Sequence, residues 1–78
     1  MIVKILGTGC NKCAALEQRL CDLKSKHDLD FEIEKINRLD DIIAYGVMMT
    51  PGLVINEQVK SYGKIPNDEE ILKWIREV

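Results

Sequence analysis

The stretch Gly7-Thr8-Gly9-Cys10-Asn11-Lys12-Cys13 constrains this chain more than any other. It follows the apolar run Ile2-Val3-Lys4-Ile5-Leu6 and opens a segment patterned as a helix, so two thiols fall where a strand hands over to a helix. A helix N-terminus presents unpaired backbone N–H groups and the positive end of the macrodipole, and both favour a thiolate over a thiol. Side chains at i and i+3 of a helical turn lie about 5–6 Å apart at Cβ, close enough for a disulfide after small adjustments. The spacing therefore predicts a reversible dithiol at an electropositive edge.

Length and charge narrow the field further. The 78 residues are expected to make one domain spanning 1–78, and a chain of this size buries about 60% of its extended surface on folding, enough for a core without staples. The net charge of −2 and the absence of any Lys or Arg run exclude a nucleic-acid footprint. The opening apolar run is too short for a signal sequence or a membrane span, so a cytoplasmic, membrane-free protein is expected, as a monomer. In that reducing compartment three cysteines, an odd number, point away from a structural disulfide framework and toward redox or metal chemistry.

The hydrophobic pattern gives the order of elements. A strand is expected at about residues 2–6 and a helix at about 11–26, where Leu16, Leu20 and Leu23 form one apolar stripe. In residues 30–36, Phe31 and Ile33 alternate with acids while Ile36 falls out of phase, which reads as a half-buried strand at a sheet edge. Asn37 is expected to cap a short helix carrying Ile42, Ile43 and Tyr45, with Gly46 at the left-handed position that ends it. Gly52-Leu53-Val54-Ile55 reads as a third strand, turned by Asn56-Glu57 into a fourth at 58–62. Asn67 then starts a last helix, with Glu70 three residues on and Ile71, Leu72 and Ile75 as its buried stripe. The fold class is therefore α/β, β-α-β-α-β-β-α, with a four-stranded mixed sheet covered by helices on both faces.

The Cys-x-x-Cys between the first strand and first helix, with Thr50-Pro51 leading into an apolar strand, resembles the thioredoxin/glutaredoxin superfamily. Within it, the brevity of the chain, Gly7-Thr8-Gly9-Cys10, and Tyr45-Gly46-Val47 running into Thr50-Pro51-Gly52-Leu53 are similar to the small thioredoxin-like redox-active disulfide proteins of archaea and bacteria. The resemblance implies a thioredoxin-like fold and a thiol-disulfide oxidoreductase that acts on protein disulfides or a dedicated partner. Cys10 matches the nucleophile that forms a mixed disulfide, and Cys13 the thiol that resolves it. Pro51 matches the family's cis-proline, and Thr50 the residue whose backbone pairs with an extended substrate; Gly9, Asn11 and Lys12 flank the thiols as further substrate contacts. No cofactor beyond the Cys10–Cys13 disulfide and no metal is implied, and electrons would come from a thioredoxin-reductase-like partner or a low-molecular-weight thiol.

The chain also departs from its relatives. Asn11-Lys12 is neither the Gly-Pro of thioredoxins nor the Pro-Tyr of glutaredoxins. Lys4 holds the place of a buried acid in thioredoxins; it either assists proton transfer to Cys13 or points its amine away past the sheet edge. Residues 61–68 are only loosely similar to the glutathione-gripping stretch of glutaredoxins. Lys12 either lowers the pKa of Cys10 or is simply solvated, Met48 and Met49 either meet a substrate or fill core, and Cys21 is expected to pack on its helix. Two other functions remain open: a copper(I)-type dithiolate carrier, although such domains end in a strand, and a redox-sensing interaction module.

Overall fold

The computed structural model describes residues 1–9 and 11–77. Its elements run β1 (Ile2–Leu6), α1 (Asn11–Lys26), β2 (Glu32–Ile36), α2 (Leu39–Ala44), β3 (Gly52–Ile55), β4 (Gln58–Tyr62) and α3 (Asp68–Arg76). The four strands form one sheet in the order β2-β1-β3-β4. β1 pairs parallel with β2 and antiparallel with β3, and β4 is antiparallel to β3, so the sheet is mixed.

Strand alternation divides the core in two. Val3 and Ile5 of β1 and Leu53 and Ile55 of β3 face α1 and α3, where they pack with Leu16, Leu20, Leu23, Phe31, Ile71 and Ile75. Leu6 and Val54, on the opposite face, pack with Ile42 of α2 and with Val47. The out-of-phase Ile36 is explained by the same division. Ile33 packs on the α1 side and Ile36, three residues later, on the α2 side, so edge strand β2 serves both layers.

The turns follow their local chemistry. Asn56 and Glu57 both have positive φ, 53° and 66°, as a two-residue hairpin of the I′ class requires. Gly46, at φ 79°, ends α2. The Asn67 side chain accepts a hydrogen bond from Glu70 N at 2.8 Å and caps α3.

Two expectations are corrected. Asn37 does not cap α2: the cap position is Arg38, whose side chain makes no capping bond, and α2 starts at Leu39. Cys21 does not pack; it is exposed, because it lies about 100° around the helix from Leu20 and off the buried stripe.

β4 carries an irregularity with consequences for the core. Val59 pairs with Val54 and Ser61 with Leu53, so one extra residue, Lys60, is inserted opposite the Leu53/Val54 step. The bulge shifts the side-chain phase by one. Val59, opposite Val54, stays in the α2 layer, and the bulge turns Ser61 toward the α1 side, where an uninterrupted strand would have driven Lys60 into the core.

Candidate active site

The site forms where β1 ends. Gly7 N donates to Ile36 O at 2.9 Å, holding the strand end against β2 before Thr8 and Gly9 turn into α1. Gly9 takes φ 89°, a conformation open to glycine at little cost. Cys13 follows in the first turn of α1, where backbone N–H groups have no partner within the helix. Its side chain is buried, and its sulfur lies against Gly7, in the space that a β-carbon there would need. The attacking thiol assigned to Cys10 lies outside the described residues.

The second half of the chain meets the first at the same glycine. Thr50 Cβ is 3.8 Å from the position of that missing β-carbon, so Gly7 lies between the Cys13 sulfur and the Thr50-Pro51 loop. The Thr50–Pro51 peptide bond is cis, Pro51 is buried, and its carbonyl accepts a hydrogen bond from Gly63 N at 2.9 Å. Gly63, at φ 75°, lies directly under the Met49 side chain. Thr50, half-buried, is thus brought close to Cys13, whereas Gly9, Asn11 and Lys12 stand in solvent around the start of α1. Met48 and Met49 are 85% and 59% exposed beside the loop and fill no core.

Sequence reasoning overlooked the surroundings of Cys13. A cleft of about 210 Å³ opens beside its thiol, walled by Ile5, Gly7, Cys13, Glu17, Lys35 and Asn37 among others. Glu17 and Lys35 form an ion pair at 3.1 Å across it. The spacing of Glu17, four residues beyond Cys13, was a readable signal that the two share a helix face. Nothing local announces Lys35 or Asn37, which arrive through the pairing of β2 with β1.

Lys4 is drawn to the other side of the sheet. Its neighbours Val3 and Ile5 face α1, so Lys4 faces α2, where its amine donates to Tyr45 Oη at 2.8 Å and pairs with Glu57 at 2.5 Å. Tyr45 Oη in turn donates to Glu57 Oε2 at 3.4 Å. The Glu57 contact first, and the Tyr45 bond second, hold the Lys4 amine well above the ordinary lysine range, and Lys4 holds the Glu57 carboxyl below its own. Lys4 is therefore committed to a hairpin clamp and does not approach Cys13.

Among the described residues no group of three or more His, Cys, Asp and Glu side chains is placed to hold a metal ion, and no helix is long and apolar enough to cross a membrane.

Comparison with known proteins places this geometry in context. Residues 1–76 match the thioredoxin domain family. A thioredoxin of Methanothermobacter thermautotrophicus is 36% identical over 73 residues, covering 94% of this chain and 95% of that protein. A thioredoxin of Methanocaldococcus jannaschii is 32% identical over 76 residues, covering 97% of this chain and 87% of its own length.

Proposed function

The chain belongs to the thioredoxin domain family, and from that premise we propose that it is a thiol-disulfide oxidoreductase whose working pair is Cys10 and Cys13. The observation that carries this reading is the placement of the Cys13 sulfur on Gly7, in the first turn of α1 and beside the cis Thr50-Pro51 loop. In the forward direction Cys10 attacks a substrate disulfide, one substrate sulfur leaves as a thiolate, and a Cys10 mixed disulfide results. Cys13 then attacks the Cys10 sulfur; the Cys10–Cys13 bond forms and the second substrate thiolate departs. Two electrons pass to the substrate and the protein is left as its intramolecular disulfide.

The substrates are disulfide-containing proteins, with Thr50 supplying backbone contacts to an extended segment, Pro51 beside it as the cis-proline, and Gly9, Asn11 and Lys12 bordering the segment. A thioredoxin-reductase-like partner or a low-molecular-weight thiol returns the electrons in a cytoplasmic setting, and the dithiol needs no separate cofactor. The copper(I)-carrier alternative is disfavoured by the helical α3, where such domains end in a strand.

Turbidity of a disulfide-bonded test protein such as insulin, followed with dithiothreitol as donor, tests the reading. The wild-type chain is expected to accelerate reduction, and Cys10→Ser and Cys13→Ser each to abolish the acceleration. Unchanged rates in either variant would overturn it.

A further inference from the structure

The resolving step requires Cys13 to lose a proton. An ordinary thiol has a pKa of about 8.5, so near neutral pH only a few per cent is thiolate. Cys13 is 8% exposed, and the group that thioredoxins would place behind it is here Lys4, turned to the opposite face of the sheet and held by Tyr45 and Glu57. What does face Cys13 is the cleft of about 210 Å³. At about 30 Å³ per molecule, it has room for several waters.

The titratable groups on its walls are Glu17 from α1 and Lys35 from β2. Among the described residues β1 contributes Ile5, the turn after it the uncharged Gly7 and Gly9, and the segment after β2 the neutral Asn37. Side chains on a helix lean toward its N-terminus, so Glu17 leans over the turn that carries Cys13. Its side chain is 34% exposed against 68% for Lys35, so Glu17 is the more enclosed of the two. The ion pair ties the Glu17 carboxylate to Lys35, the other charged side chain on the cleft.

We propose that Glu17 is the proton acceptor for Cys13 during resolution of the mixed disulfide, acting across the cleft through water. The proposal rests on the oxidoreductase reading above. In this step the Cys13 S–H proton passes to the Glu17 carboxylate. The sulfur's electron pair forms the Cys10–Cys13 bond, the bond from Cys10 to the substrate sulfur breaks, and its electrons leave with the substrate as a thiolate. In the reverse direction protonated Glu17 returns the proton to Cys13, so one carboxyl serves both directions.

Rapid mixing of the reduced protein with excess dithiobis(nitrobenzoate) reads the step directly, in a Cys21→Ser background because Cys21 is exposed. Capture of Cys10 releases one nitrothiobenzoate at a rate set by reagent concentration, and attack by Cys13 releases a second at a rate independent of it. Glu17→Gln is expected to slow the second phase about tenfold near pH 7, to leave the first phase unchanged, and to converge with wild type near pH 10, where the thiol ionises unaided. Lys35→Gln breaks the ion pair but keeps the carboxylate, and is expected to stay within about threefold of wild type in the second phase.

An unchanged second phase in Glu17→Gln, an equal slowing at every pH, or a Lys35→Gln defect as large as that of Glu17→Gln would each overturn the proposal. A wild-type protein that lacks the second phase altogether would overturn the oxidoreductase reading itself.

Discussion

The sulfur of Cys13 stands where a β-carbon on residue 7 would have to be. Glycine is required at that position for space rather than for backbone conformation, because two pieces of structure converge on it: the first turn of α1 and the Thr50 side chain. Gly7→Ala forces Cys13 to a new rotamer or moves the start of α1. The expected outcome is a loss of about 1–3 kcal/mol in unfolding free energy, as overpacking of a buried contact costs, together with slower disulfide exchange. Urea denaturation and the insulin assay on the same sample check both.

Gly63 is under two constraints. Its φ of 75° disfavours any L side chain, and an added Cβ would come within 3.2 Å of Met49 Cβ. Gly63→Ala is expected to destabilise by about 1–2 kcal/mol from the left-handed conformation, and Met49→Ala in the same chain, which keeps Cβ but removes the Cε and Sδ atoms that would lie 3.3 and 3.5 Å from the added carbon, should recover part of that loss. A double-mutant cycle measures the coupling.

Ser61 Oγ is buried and has no hydrogen-bond partner among the described residues. A hydroxyl desolvated without a partner is a net cost, so Ser61→Ala is expected to raise the unfolding free energy by about 1 kcal/mol. The denaturation midpoint should rise with an unchanged slope.

The Lys4–Glu57 clamp predicts a pH signature. Glu57 has its pKa lowered by folding, so its contribution is complete above the ordinary carboxylate range and fades as pH falls through the lowered folded value. Lys4 has its pKa raised, so its contribution is complete below the ordinary lysine pKa of about 10.4 and fades as pH climbs from there toward the raised folded value. The stability gap between wild type and Glu57→Gln should therefore be flat from about pH 5 to 10 and close on the acid side. Because Glu57 sits at φ 66°, Glu57→Gly should be more stable than Glu57→Gln: both lose the ion pair, but glycine also relieves the backbone. Chemical denaturation across pH checks both statements.

The elements were legible because their signals are local. The stripe of Leu16, Leu20 and Leu23 marked α1, the alternation of Phe31 and Ile33 with acids marked β2 as an edge strand, and Asn67 marked the start of α3. Local signals misled where a competing geometry won. Asn37 has the chemistry of a cap, yet it lines the cleft beside Cys13 while Arg38 takes the cap position. The β4 bulge left no mark in the alternation of residues 58–62, because an inserted residue shows only once its partner strand is known.

What the sequence determined by itself about this protein was the order of its elements and the entry of Cys13 into the first turn of α1. Both depend on residues within a few positions of one another, whose periodicity and spacing are written along the chain. Only the tertiary structure decided what surrounds Cys13. The parallel pairing of β1 with β2 carries Lys35 opposite Glu17, the antiparallel pairing of β1 with β3 sets Thr50 against Gly7, and the pleat sends Lys4 to the far face. Each of these depends on register between segments distant in sequence, and a shift of one residue would exchange the faces of every side chain involved.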